Sequence, residues 1–429
     1  MSEIELGLQG RARGARAERT PRRPDLLGGA GASAARGAAA ALLAAALAAG
    51  PLPEALLPAP LRIASTAAQA RELASGSGSR VNKDPNSLLR YGLPAQPKGL
   101  REVQAKIEEA ADGLQRFLTV NASQALGTAS GTLKSQKAAI LKNIPDAARG
   151  EELLASVAGK VSDAQAAIGR GESTVGYEKL ESALADISQL EELIATDYRQ
   201  PVPPKEFDRL PWLKGRATVA FELKRPGGKF DVDGTLYERL NLRMVVDGYT
   251  APITAGNFLD LVDKGFYNNF KIQRSDGFVV QTGDPKAEGR QPLNGYVPPG
   301  ETDVRKIPLE VYVTGDKQPL YGTTFDDDGR GGYAAALPFN AYGALGMARE
   351  EYDVDSASSQ FFWLLFDSDL TPAGKNLLDG RYACFGYTID GARLLSDVKE
   401  GDVIVSAKVT RGLENLVRPA ASAAEAASV

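Results

Sequence analysis

Apolar residues recur at Leu100, Val103, Ile107, Ala111, Leu114 and Leu118, in steps of three and four. That spacing lays one hydrophobic stripe along a helix. Weaker patterns of the same period predict helices over about Asn121 to Asn143 and about Glu151 to Ile168. A clearer stripe follows at Leu180, Leu184, Ile187, Leu190 and Ile194, on a surface rich in Glu and Asp. Pro201, Pro203 and Pro204 end that helix. Upstream, Asp84-Pro85 pairs an N-cap residue with proline at the first helical position. Leu180, Ile187 and Ile194 are seven apart, but two heptads are too few to specify a coiled coil. Four amphipathic helices joined by Gly- and Pro-marked turns predict a bundle.

After Pro204 the period changes from helix-like to two. Arg216 to Lys224 and Tyr237 to Asp247 alternate as strands do. Further strands are predicted near Gly277–Thr282, Gly346–Arg349, Gln360–Phe366, Ala383–Thr388 and Val403–Arg411. Ala251-Pro252 opens a short helix carrying Phe258, Leu259 and Val262, and a second covers Gly391–Val398. Many short strands, two helices and long Gly-rich loops predict a closed antiparallel barrel capped by helices. The fold class is therefore α+β multidomain: a helical bundle over residues 84–200, then a β-barrel domain over 201–418. Residues 419–429 form an Ala-rich tail, and residues 71–83, with Ser75-Gly76-Ser77-Gly78-Ser79, form a flexible linker.

One stretch of the second half carries candidate chemistry. Arg274 precedes a short turn, Ser275-Asp276-Gly277, and a strand-like run from Phe278 to Asp284. Alternation would send Phe278 and Val280 to one face, and Val279 and Gln281 to the other. A guanidinium beside an aromatic ring and an amide can bind a peptide backbone, and the set contains no nucleophile. A buried hairpin with a surface arginine fits the same pattern.

Composition narrows the functional classes. The chain has 429 residues, 43% hydrophobic and 24% charged, as in ordinary globular proteins. A net charge of −4 supplies no global basic field for nucleic acid. There is no histidine, which removes Ser-His-Asp and Cys-His catalysis, His-ligated metals and histidine pH switches. The single cysteine, Cys384, lies in an apolar run and excludes an internal disulfide. Asp326-Asp327-Asp328-Gly329 lacks the alternating ligand spacing of a calcium loop and reads as a solvated acidic loop. Residues 1–70 do not read as part of a fold. Seven arginines stud a small-residue background from Arg11 to Arg36, an Ala/Leu run follows between Gly37 and Gly50, and Ala68-Gln69-Ala70 closes the segment. An Arg-rich region, a short apolar run and an A-x-A site read as two targeting signals in series.

The motifs of the second half are ordered as in one family. Ala251 to Phe258, Gln273-Arg274, Gly277-Phe278, Gln281 to Asp284, Gly346 to Ala348, Ser359 to Phe362, Leu378 to Gly380 and Phe385-Gly386 together resemble a cyclophilin. With Lys83 to Pro85, Leu88 to Tyr91 and Gly412 to Leu416, the chain is similar to the large thylakoid-lumen cyclophilins of plants and algae. In that family a lumen signal precedes a helical bundle and a divergent cyclophilin domain. The resemblance implies a chloroplast thylakoid-lumen location, and a bipartite transit peptide over residues 1–70. It implies a peptidyl-prolyl cis-trans isomerase fold with Arg274, Phe278 and Gln281 at the catalytic positions. Ala348, Arg349, Gln360, Phe362, Leu377, Leu378 and Tyr382 would line the peptide site, without cofactor or metal. Active members of the family carry tryptophan at the position of Leu377, histidine at Tyr382, methionine at Val279 and asparagine at Arg349. The Arg274-to-Phe278 turn is also one residue shorter. These departures imply a retained groove with weak or absent catalysis. The implied partners are proline-containing segments of lumenal or thylakoid membrane proteins, photosystem II subunits foremost, and no nucleic acid. An active isomerase, peripheral association with the thylakoid membrane, and a contact between bundle and groove stay open.

Overall fold

The computed structural model describes residues 81–94, 97–196, 198–366 and 376–419. Residues 1–80, with the targeting segment and most of the linker, and residues 420–429 of the tail lie outside them.

The first helix, α1 (Pro85–Tyr91), starts as its sequence predicts. Asp84 accepts from the Ser87 N–H at 2.7 Å, and Pro85 occupies the first turn. Four longer helices follow: α2 (Lys98–Gln115), α3 (Thr119–Leu141), α4 (Ala147–Gly169) and α5 (Ser173–Ala195). Their stripes meet in one core. Leu100, Val103, Ile107, Leu126, Val157, Val161, Leu180, Ile187 and Leu190 are all sealed in it. The predicted stripe through Leu118 is cut short. Phe117 turns left-handed at φ 59°, so α2 ends at Gln115.

Among the described residues, eight strands form the main sheet of the second half: β1 (Arg216–Lys224), β2 (Leu240–Asp247), β3 (Arg274–Ser275), β4 (Val279–Thr282), β5 (Ala344–Met347), β6 (Phe361–Leu364), β7 (Cys384–Asp390) and β8 (Val403–Arg411). They form one antiparallel sheet in the order β8-β1-β2-β7-β5-β6-β4-β3. The sheet is curled, but its edge strands β3 and β8 do not pair with each other. The chain just before β3 stitches the edges instead. Lys271 and Val403 form an isolated bridge, flanked by Asn269 N–H to Ile404 O at 2.7 Å and Ile272 N–H to Asp402 O at 2.7 Å. The expected closed barrel is thus a curled sheet sealed along one short seam. Strand β1 alternates half-buried and buried positions along its length. Its inward Phe221 joins Phe258, Tyr267, Phe361 and Trp363 in an aromatic core. Phe258 comes from α6 (Pro252–Asp263), which covers the core. The second predicted helix is a 3-10 turn, Ala392–Asp397.

Helix α1 does not pack as a fifth bundle helix alone. Its Leu88 and Leu89 belong to an apolar cluster on the outer face of the curled sheet, with Ala344, Phe362, Leu364 and Tyr387. Arg216 donates to the Leu89 carbonyl at 2.6 Å and to Asp247 through Nε at 2.6 Å.

Candidate peptide groove

Register decides what the outer face presents. Phe362 lies opposite Gln281 on β4 and Gly346 on β5, and Leu364 lies opposite Val279 and Ala344. Alternation then turns Val280, Leu345, Phe361 and Trp363 into the core. Phe362 is therefore the floor of an outward patch, which Gln281 shares. It stacks on Phe339 at 6.0 Å between ring centres and meets the Tyr382 ring edge-on at 6.1 Å. Leu378 and Ala348 pack against the same cluster.

Gly346 has to be glycine. A Cβ there would fall 2.1 Å from the Phe362 ring. Gly346→Ala is expected to push the ring outward at an overpacking cost of about 1–3 kcal/mol and to weaken peptide binding. Isothermal titration with a proline peptide checks this, and an unchanged affinity would show that Phe362 is not the floor of the site.

The rim is polar. Gln281 Nε2 donates to Gln360 Oε1 at 3.0 Å, and Gln360 donates to the Asn294 carbonyl at 3.0 Å. The Ala348 N–H is held by the Gln360 carbonyl at 3.0 Å. Arg349 lies over the Tyr382 ring at 4.6 Å. It also donates to the Arg381 carbonyl at 3.0 Å and the Glu350 carbonyl at 2.8 Å. This second cation is thus bound to the rim rather than aimed across the groove. Leu377, at 72% exposure, stands out from the site, whereas Leu378 turns in.

Arg274 is opposite Gln281 on the neighbouring strand. Its guanidinium is held by Asp276, whose Oδ2 accepts from Nε at 2.7 Å. Asp276 Oδ1 meanwhile accepts from the Phe278 and Val279 N–H groups, both at 3.0 Å. Partial burial pushes the Asp276 carboxyl up, but the amides of Val279 and Phe278 and the Arg274 charge outweigh it. The group stays below the ordinary aspartate value. This Asx turn also stops the alternation. Strand β4 begins at Val279, so Phe278 does not share the face of Val280. Phe278 is 59% exposed and stacks on Phe366 at 5.9 Å, whereas Val280 is fully buried. In the sequence, Ser275-Asp276-Gly277 reads only as a turn. The acid two residues after the arginine was the available sign of the clamp.

Two buried carboxyls support the site from beneath. Glu310 accepts from the Ile253 and Thr254 N–H groups at 3.0 and 2.6 Å, capping α6. Burial outweighs those amides and pushes it up to about 7. Asp379 accepts from the Phe339 and Asn376 N–H groups at 2.7 and 3.1 Å, which fixes the turn carrying Leu378. Burial pushes it up to about 6. Both folded values lie above the unfolded ones, near 4. The folded state therefore holds more protons between about pH 4 and 7, and stability falls as pH rises through that window. The lowered Asp260, Asp276 and Asp397 act oppositely, but only below their ordinary range. Urea midpoints are expected to be higher at pH 5 than at pH 8, with the slope reduced in Glu310→Gln. A midpoint that rises from pH 5 to pH 8 contradicts the assignment.

The curled sheet, its outward phenylalanine and its glutamine rim define a cyclophilin-type domain behind a helical bundle. Comparison with known proteins agrees in both halves. Residues 233–414 match the cyclophilin type peptidyl-prolyl cis-trans isomerase/CLD family, and residues 84–195 match the PsbQ-like domain of CYP38-like peptidyl-prolyl cis-trans isomerases. The chain is 41% identical over 343 residues to the chloroplastic peptidyl-prolyl cis-trans isomerase CYP38 of Arabidopsis thaliana, covering 79% of this chain and 76% of that protein. It is 41% identical over 341 residues to a putative thylakoid lumen peptidyl-prolyl cis-trans isomerase of Synechocystis, covering 78% and 84%. Against chloroplastic CYP37 of Arabidopsis thaliana it is 28% identical over 359 residues, covering 80% and 72%. The chain belongs to the thylakoid-lumen cyclophilin family, with a PsbQ-like helical bundle ahead of its cyclophilin domain. It is a chloroplast protein of the thylakoid lumen.

Proposed function

We propose that the groove holds proline-containing segments of lumenal and thylakoid membrane proteins, photosystem II subunits among them, and that its isomerase turnover is weak or absent. The protein then serves as a chaperone or assembly factor. Rotation of an X-Pro bond faces a barrier of roughly 20 kcal/mol. The amide nitrogen must lose conjugation, so a cation donating to that nitrogen favours the twisted state over the planar ones. Phe362 and Leu378 offer the apolar seat for the ring, and Gln281 and Gln360 the amide partners. The donor itself is engaged, and this observation carries the reading: the Arg274 guanidinium donates to the Asp276 carboxylate two residues on. A guanidinium displaced by about 1 Å can cost on the order of 100-fold in rate.

Titration of the full chain with a lumenal-loop peptide, and with the same peptide carrying alanine for proline, tests the binding. Saturable binding of the first with weaker binding of the second is expected. Equal affinities would remove the proline site.

Helix α1 favours a second reading, in which a bundle-side element limits access. Leu88 and Leu89 cover the outer sheet face in the cluster that contains Phe362. A partner that lifts α1 would then enlarge the groove on that flank.

A further inference from the structure

The end of α2 is built against conformational preference. Phe117 N–H donates to the Leu114 carbonyl at 3.1 Å and Leu118 N–H to the Gly113 carbonyl at 2.7 Å. This is the hydrogen-bond pattern that closes helices around a left-handed residue, where glycine is usual because it has no Cβ to clash. Here phenylalanine takes the position, at φ 59°. Among the described residues the other non-glycine positions with positive φ are Asp233 and Asn269, types that tolerate it. The Phe117 ring gains no burial in return. It is 86% exposed and lies outside the bundle core. A strained residue that does not serve packing points to a use at the surface.

Its neighbours share the exposure. Val120, in the first turn of α3, is 68% exposed, and Leu118 between them is also exposed. The α4–α5 turn reaches the same end of the bundle, where Gln115 Nε2 donates to the Tyr177 hydroxyl at 2.7 Å. The first turn of α5 adds exposed Val175. Two ion pairs sit at the tip: Arg116 with Asp112 at 3.1 Å, and Arg170 with Glu172 at 2.7 Å. The apolar area is on the order of 400 Å², about half of what each side of a standard protein interface buries. A convex tip of that size is too small to hold a second copy or a folded partner. It suits a bilayer surface, where apolar side chains enter the headgroup boundary. Among the described residues no helix is long and apolar enough to cross a membrane, so contact would be from one side.

We propose that this end of the bundle is a membrane-docking tip, which places Phe117, flanked by Leu118, Val120 and Val175, in the interfacial region of a bilayer with net-neutral headgroups. The paired charges make docking insensitive to salt. It is independent of the groove, so groove variants leave it intact.

Cosedimentation of the full chain with phosphatidylcholine vesicles, with and without added phosphatidylglycerol, tests the proposal. The wild type is expected to bind both, with little effect of salt. Phe117→Gly is expected to lower the partition coefficient about tenfold or more, the weight of one buried aromatic side chain. Because glycine prefers the left-handed position, the same variant is expected to keep or raise the thermal midpoint. The proposal is overturned if the wild type ignores neutral vesicles, or if Phe117→Gly binds as well as the wild type. It is also overturned if binding needs phosphatidylglycerol and disappears with salt. A thermal midpoint that falls in Phe117→Gly would make the ring structural. Concentration-dependent self-association lost in Phe117→Gly would make the tip a contact between copies.

Discussion

Arg90→Ala is expected to lower the unfolding free energy by about 3–5 kcal/mol, the usual loss when one partner leaves a buried ion pair. Arg90 is almost wholly buried, and it donates to Glu108 Oε1 through Nε at 3.0 Å and Nη2 at 2.7 Å. Nη1 reaches the Ser188 hydroxyl at 3.3 Å, so one side chain ties α1 to both α2 and α5. On its other side, α1 is bound to the sheet through Leu88, Leu89 and the Arg216 contact to the Leu89 carbonyl. Helix α1 is thus the splice between bundle and sheet. Alanine leaves Glu108 largely buried without this cation and loosens that splice. Urea unfolding measures the loss, and the double variant Arg90→Met with Glu108→Leu is expected to recover much of it, because matched apolar pairs avoid the desolvation cost. A change within about 0.5 kcal/mol would place Arg90 among ordinary surface residues. On the occlusion reading Arg90→Ala also binds proline peptide more tightly, and unchanged affinity removes that reading.

Asp276→Asn is expected to raise prolyl isomerase turnover by about two- to fivefold, the release expected when an exposed ion pair worth about 0.5–1 kcal/mol is removed. Asparagine keeps an Oδ1 that accepts from Phe278 and Val279, so the turn survives. It removes the carboxylate oxygen that binds Arg274 Nε. The ion pair is exposed and intrinsically weak. Its importance lies in direction, since it points the guanidinium back along its own turn. The gain is expected to vanish in the double variant Arg274→Ala with Asp276→Asn. Turnover that does not rise would leave the short turn itself, or Leu377 and Tyr382, as the cause of weak catalysis.

Local pattern carried most of the fold. The stripes from Leu100 to Leu114 and from Leu180 to Ile194 are bundle core, and the alternation of Arg216 to Lys224 is strand β1. What the pattern hid is long-range or strained. Nothing near Leu118 announces that Phe117 turns left-handed, because the expected signal there is glycine. Nothing near Leu89 reveals a contact to Arg216, 127 residues away. In the groove, the outward set of Gln281 and Phe362 follows from strand register, but Phe278 escapes alternation because side-chain hydrogen bonds from one aspartate end the strand early. The ion pair that occupies Arg274 is local, yet it depends on turn geometry that residue types alone do not specify.

The central claim is that the groove binds proline segments with its catalytic cation withheld. The most direct measurement is prolyl-bond isomerisation of one peptide by the full chain, followed by NMR exchange alongside its binding isotherm. Saturable binding, with turnover at least about 100-fold below that of active cyclophilins, is the expected result. Turnover at the rate of active cyclophilins, abolished by Arg274→Ala, would contradict it.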